Sequence, residues 1–256
     1  MMPHIRRIIR LLLIFIWFPF TTCIGLVSCI GGWDAIRRMT AIARFWGAGN
    51  ARIIGMRIKV FGDPGRISGG IIISNHQSYL DILIHASIFR IRFAPKAEIA
   101  SWPVLGWILA ISRPIWIRRE SKQSSHRTLK EYRETLEHGI NLIIYPEGTT
   151  SDGTVLLPFK STPFEAVLSG DFRIWPILVK YTQEPGRPTL CWYGDMTLLP
   201  HCWEILGRKH IDAEVHILEP LSPPSGMKRK ELARFVHDHM EKEYRKIAKL
   251  PLEGTL

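Results

Sequence analysis

Between Leu11 and Trp33 the chain carries no charged residue, reading LLLIFIWFPFTTCIGLVSCIGGW. A run of this length is driven out of water and is long enough to cross a hydrocarbon core about 30 Å thick. Arg6, Arg7 and Arg10 precede it, and Arg37 and Arg38 follow it. A cleaved leader is the competing explanation, but the run is long for a leader core and no Ala-x-Ala site follows. The expectation is a membrane anchor and interfacial helix over residues 1–50. Pro19 interrupts the run and Gly31-Gly32 ends it, so a re-entrant dip and a spanning helix both stay open. Residues 34–50 read as a helix with Ile36, Met39, Ile42, Ala43 and Trp46 in one stripe and Arg37, Arg38 and Arg44 outside it. That helix either lies at an interface or faces a core.

The remainder, residues 51–256, is long enough for one domain with a core of its own. Short β-rich runs recur at 57–61, 70–74, 114–118, 141–145, 173–180, 190–194 and 213–218, with helical patterns near 79–89, 100–112, 123–138 and 229–248. Strands alternating with helices predict an α/β fold with a mixed, partly parallel sheet flanked by helices. The formal net charge is +11, which calls for an acidic partner. Beside an apolar anchor, that partner is an anionic membrane; no basic run interleaved with aromatics points to nucleic acid. Four cysteines without a Cys-x-x-Cys pair predict neither a metal site nor a disulfide framework, and no cofactor is expected.

GIIIS (70–74) lacks alternation, as a strand buried on both faces does. It ends abruptly in NHQSYLD (75–81). In such sheets ligands sit beyond the carboxyl ends of strands. If His76 and Asp81 were both helical they would point about 140° apart, since each residue turns about 100°. With His76 in the turn and Asp81 in the first helical turn, the carboxylate can hold one imidazole nitrogen and leave the other as a base. The competing reading is a capping box, Ser78-x-x-Asp81, at the helix start. A second strand, NLIIY, runs into PEGTTSDG (146–153), and a third, PIWIR, runs into Arg118 and Arg119. Three strand ends bearing His/Asp, Arg/Arg and Glu/Gly/Thr converge best as one site.

Together these stretches resemble the glycerolipid acyltransferases. NHQSYLD matches the Asn-His-x-x-x-x-Asp motif of that family, and YPEGTTS resembles its second hallmark, usually Phe-Pro-Glu-Gly-Thr-Arg-Ser. PIWIRRES looks like the intervening block and selects Arg119, and RIWPILVKY looks like the fourth, with Pro176 at its proline. The resemblance spans roughly residues 55–220. It implies the family's fold over 51–256 and transfer of a fatty acyl group from acyl-CoA or acyl-carrier protein to a lysolipid hydroxyl. By the same resemblance His76 and Asp81 are catalytic, and Asn75, Lys96, Arg119, Glu147, Gly148, Thr149 and Thr150 bind substrate. The acceptor it most readily implies is 1-acyl-sn-glycerol-3-phosphate, at a bacterial-type inner membrane with the catalytic domain on the cytoplasmic side. One departure counts against that acceptor. Thr150 stands where the family has an arginine, and PEGTTSDG together with YGDMTLLPHCWEILG resembles a branch that includes lyso-ornithine lipid acyltransferases.

Overall fold

A computed structural model of the chain describes residues 3–102, 105–118, 122–170 and 172–249. Among these, β1 (Met56–Phe61), β2 (Ile71–Ser74), β3 (Ile91–Phe93), β4 (Asn141–Ile144), β5 (Ile174–Tyr181) and β6 (Ile211–Ile217) form one sheet in the order β1-β6-β5-β2-β4-β3. Only β5 and β6 run antiparallel; the other neighbours are parallel. The mixed sheet expected from the alternation is therefore present, with the motif-bearing strands β2 and β4 side by side in its middle.

The periodicity of β2 explains this position. Ile71 and Ile73 pack on one face with Tyr132, Phe164, Leu232, Val236 and Met240. Ile72 packs on the other with Ile54, Leu80, Ile84 and Ile205. A strand covered on both faces carries no polar alternation. The first face is covered by α5 (Lys122–Glu137), α6 (Phe164–Leu168) and α8 (Arg229–Ala248), the second by α2 (Gly32–Ile54), α3 (Leu80–Ile88) and α7 (Leu198–Gly207). Pro176 lies inside β5, where a missing N–H would break a ladder. It sits at a register shift: Leu218 N donates to Pro176 O, whereas Ile174 pairs with Leu221. The proline thus occupies a bulge in the antiparallel pairing.

Two expected strands are not strands. Residues 114–118 make a few bonds alongside the chain that continues β3, with one isolated bridge between Ile117 and Lys96. Pro95 lacks the N–H that would go to Ile115 O, which keeps that pairing from becoming a ladder. In 190–194, Leu190 N goes to the Gln183 side chain, Cys191 N to Thr189 Oγ1 and Trp192 N to Gln77 O, so the first three donors are taken away from a ladder. Conversely, β3, α6 and α7 form where no element was expected. They are short, and their period could not be read. The helical pattern at 100–112 divides into a 3-10 turn (Ala97–Ser101) and α4 (Leu105–Ile111).

The N-terminal helix α1 (Pro3–Ser28) runs without a break through Pro19. It begins before the uncharged run and includes all three leading arginines. Those arginines do not face lipid headgroups. Arg6 donates to Gly207 O at 2.6 Å, Arg7 to Trp203 O at 2.8 Å, and buried Arg10 to the carbonyls of Leu206, Arg208 and Lys209 at 2.7–3.2 Å. Cations here satisfy the orphan carbonyls at the C-terminus of α7 and complement its dipole. Further along, the Trp17 ring fills the space a side chain at Gly49 would need, and its Nε1 donates to Trp46 O. Of the expected stripe on α2, Ile36 and Met39 are buried and Ile42, Ala43 and Trp46 are half-buried, while Ala35, Gly47, Ala51 and Ile54 are buried beside them, and the helix continues to Ile54, four residues past the expected end of the N-terminal segment. The outer face of α1 stays bare: Leu12, Phe15, Ile16, Phe20 and Val27 are all exposed. Only 11% of its most apolar window is buried, so it is a candidate membrane span by length and composition and not a core helix.

Candidate active site

Strands β2 and β4 end together, and their loops are tied by hydrogen bonds. Ser151 N donates to His76 O at 2.9 Å, and Trp192 N donates to Gln77 O at 2.8 Å. The Asn75 amide extends the sheet beyond β2: its Nδ2 donates to Val179 O at 2.9 Å and its Oδ1 accepts from Val179 N at 2.8 Å. Chain direction is thereby fixed for the next residue, His76.

The imidazole of His76 meets Asp81, with Nδ1 at 2.8 Å from Oδ2. That same oxygen accepts from Gln77 N at 2.7 Å and Ser78 N at 3.0 Å, while Oδ1 accepts from the Tyr181 hydroxyl at 2.5 Å. The catalytic and capping readings of this stretch thus describe one carboxylate. It closes the turn at the start of α3 and also orients the histidine. Ser78 supplies no reciprocal cap; its buried hydroxyl has no partner and does not touch His76. Burial pushes the Asp81 carboxyl upward, but the bonds from His76, Tyr181 and Ser78 outweigh it and leave the group below the usual carboxylate range. Asp81 is therefore ionised. With Nδ1–H donating to it, Nε2 of His76 is left as the acceptor nitrogen.

Glu147 is buried and tied into the same loops. Oε1 accepts from His76 N at 2.8 Å and Oε2 from Leu157 N at 3.0 Å. Burial pushes its carboxyl up to about 8, against the pull of those two N–H donors. It joins the histidine loop to the segment 153–160 through its own side chain. Gly148 has φ +70, and a side chain there would strike the Lys160 amine. Lys160, Arg118, Thr128, Tyr132 and Gly148 line a cavity of about 290 Å³ at the end of β4. Among the described residues, no acidic side chain lines it. Thr149 is exposed and Thr150 half-buried. Lys96 is exposed at the bridge to Ile117, which also lines the cavity. Arg119 and Pro103 lie outside the described residues.

Several contributors had no local signal. Tyr145 stacks on His76 with ring centroids 4.1 Å apart and 18° between planes. Its hydroxyl is 3.1 Å from Nδ1 of His85, which also reaches Asp81 O at 2.7 Å. Gln77 donates to the Tyr244 hydroxyl at 2.7 Å, and Tyr244 donates to Gly153 O at 2.6 Å. Tyr145 and Tyr181 could have been suspected because both end a buried strand, where His76 and Glu147 also lie. Tyr244 comes from a helix far along the chain and could not.

His85 is fully buried, and burial lowers its pKa from 6.5 to about 4. It folds neutral and must charge on unfolding in acid. The unfolded chain binds the extra proton between these values, so stability falls as pH drops from about 6.5 to about 4. The wild type should lose up to about 3 kcal/mol over that range that a His85→Leu variant does not lose. Chemical denaturation in detergent at both ends of the range measures this. Parallel losses in the two proteins would show that another group governs the acid limb.

A base poised on a carboxylate, in a cleft at strand ends and beside a cationic cavity, can activate a hydroxyl for attack on a carbonyl. Comparison with known proteins agrees. The profile of the Acyltransferase family matches residues 57–180. A lyso-ornithine lipid O-acyltransferase of Brucella abortus is 31% identical over 204 residues, covering 74% of this chain and 76% of that protein. A 1-acyl-sn-glycerol-3-phosphate acyltransferase of Neisseria gonorrhoeae is 31% identical over 215 residues, covering 83% of this chain and 82% of its own. In fold, the chain is similar to the crystal structure of a 1-acyl-sn-glycerophosphate acyltransferase from Thermotoga maritima, with a TM-score of 0.67 over 96% of this chain and 97% of that one at 18% identity. The matched span holds β1, β2, β4 and nearly all of β5 together with His76, Asp81 and Glu147, and the chain belongs to the Acyltransferase family, as an enzyme acting on a lysolipid acceptor and an acyl donor.

Proposed function

We propose that the enzyme transfers a fatty acyl group from an acyl thioester to the free hydroxyl of 1-acyl-sn-glycerol-3-phosphate, giving phosphatidic acid. In this reading Nε2 of His76 takes the hydroxyl proton as the oxygen attacks the thioester carbonyl. The C–O ester bond forms, the C–S bond breaks, and the proton passes from Nε2 to the departing thiolate. Asp81 stabilises the imidazolium in between. The N–H groups of His76, Gln77 and Gly148 are taken by Glu147, Asp81 and Tyr145 O. The amides of Thr149 and Thr150 are left to face the oxyanion.

The observation that favours a phosphate-bearing acceptor is the cavity beside Gly148, which Arg118 and Lys160 line together. Lys96 adjoins it through the bridge to Ile117 and adds to the same charge. Thr150 favours the second reading, in which the acceptor is lyso-ornithine lipid, since a hydroxyl replaces the family's guanidinium. The two readings differ in the ratio of specificity constants for the two acceptors. The wild type should prefer lysophosphatidate, and Thr150→Arg should raise that preference by roughly tenfold, as one charge-assisted bond would. A wild-type ratio favouring the ornithine acceptor reverses the assignment.

The enzyme works at a membrane surface, on the cytoplasmic leaflet of a bacterial inner membrane. Supporting this are the bare outer face of α1 and the exposed Leu199 and Trp203 of α7, with Arg7 stacked over Trp203. Because α1 is bonded to α7 through Arg10 and packs near Gly25 against Met39 and Ile111, its inner face is committed to protein along its length. It therefore lies in the interface rather than crossing. Anionic lipid is met by exposed Arg44. Arg37 and Arg38 instead donate to the carbonyls of His138 and of Ser28 and Ile30. Changing Leu12, Phe15 and Ile16 to serine should release the protein from carbonate-washed membranes, each side chain forfeiting about 1.5–3 kcal/mol of burial in lipid. Retention of that variant on the membrane would contradict the anchoring role of this face.

A further inference from the structure

We propose that a second cavity, on the far side of the loop that carries Lys160, binds the phosphate of the acyl donor's phosphopantetheine arm. The cavity measures about 330 Å³ and lies between α8 and residues 158–161. Lys230, Arg234 and His237 line it from α8, facing Phe159 and Ser161. The three basic residues stand at positions i, i+4 and i+7, so one helix face presents them together. Neither Lys230 nor Arg234 has an ion-pair or hydrogen-bond partner among the described residues. Among the described residues, no acid lines it. The His237 ring packs edge-on against Phe159, with centroids 5.0 Å apart and planes at 89°, which holds one wall of the cavity in place. Two unpaired cations in a concavity with an aromatic wall suit a phosphate ester attached to an organic chain.

The position relative to the chemistry supports a donor rather than an acceptor. Glu147 bonds His76 N with one oxygen and Leu157 N with the other, and Leu157 immediately precedes the cavity wall. The wall is thus joined to the histidine loop through two hydrogen bonds and a short stretch of chain. Along this loop the side chains divide: Phe159 and Ser161 line the α8 cavity, while Lys160 and Thr162 line the cavity beside Gly148. One loop so separates two cationic cavities, leaving the α8 cavity for a donor whichever acceptor occupies the other. α8 packs on the sheet face opposite the one against which α1 and α7 lie. Its cavity faces water, from which a soluble acyl donor arrives, whereas the lysolipid comes from the apolar side.

This proposal rests on the acyltransferase reading but not on the identity of the acceptor. The phosphopantetheine phosphate is common to acyl-CoA and acyl-carrier protein, and the test separates the two. Full-length enzyme and the double variant Lys230→Gln/Arg234→Gln are assayed in detergent with acyl-CoA, acyl-carrier protein and acyl-pantetheine, which lacks the phosphate. Both residues are exposed, so the variant keeps its fold. The KM for the phosphorylated donor should rise roughly tenfold, with kcat and the acceptor KM unchanged and the KM for acyl-pantetheine unmoved. A rise confined to one phosphorylated donor identifies the source that uses the cavity. No rise with either, or an equal rise with acyl-pantetheine, overturns the proposal. Failure of the acceptor assignment would instead appear in the acceptor ratio and leave these donor constants as they are.

Discussion

Changing His76 to alanine should lower turnover by about 100- to 10,000-fold, the usual cost of removing a general base, and leave the protein folded. Its structural bonds are made by the backbone: its N–H goes to Glu147 and its C=O accepts from Ser151. Alanine keeps both. What is lost is the imidazole, stacked on Tyr145 and held by Asp81 with its far nitrogen unengaged. The effect should fall on kcat, because no contact on the ground-state acceptor is removed. Steady-state kinetics on purified enzyme, with the melting temperature followed in parallel, make the comparison. Activity within a few-fold of wild type would exclude His76 as the base.

Asp81→Asn should be the next most damaging change, with kcat reduced by at least about 100-fold and a much smaller loss of stability. The amide oxygen can keep the bonds from His76 Nδ1, Gln77 N and Ser78 N, and the amide nitrogen can donate to Tyr181 if that hydroxyl turns. The turn is preserved and the charge that stabilises the imidazolium is removed. Alanine is the less informative variant. It would strand two N–H groups and a hydroxyl in a fully buried position, at about 1–3 kcal/mol each, and would confuse unfolding with loss of chemistry. If Asp81→Asn loses only stability and retains its specific activity, the carboxylate serves as a turn closure alone.

Much of the site was legible because its residues lie where buried strands stop. GIIIS and NLIIY are apolar without alternation, so their ends can be located to within a residue, and the polar residues following them must gather at one edge of the sheet. The strand ends also misled. PIWIR has a strand's composition, but Pro95 on the neighbouring segment has no N–H to give Ile115 O, and the pairing stops at a few bonds. The helix through Pro19 was legible in its apolarity and not in its path. A proline removes one bond from a helix, and here Trp17 packed against Gly49 and Arg10 buried under α7 hold the two halves in line.

In the sequence, the reaction class rests on the resemblance of several blocks to the glycerolipid acyltransferases, whereas the meeting of His76 with Asp81 could be anticipated because a five-residue turn from strand to helix is a local structure. The sequence by itself also determined that the N-terminus seeks an apolar surface, since that depends on composition over one continuous run. Tertiary structure alone decided what surrounds the pair. Tyr145, Tyr181, Gln183 and Tyr244 reach the site or its supporting loops from β4, β5, the segment after β5 and α8, across separations of 60 to more than 160 residues from their partners in several cases, and no short-range period encodes such meetings. Tertiary structure likewise decided the work of the N-terminal arginines. Their spacing is compatible with lipid headgroups, but α7 ends beside them, and helix C-terminal carbonyls lacking an intrahelical donor are ready acceptors for their N–H groups.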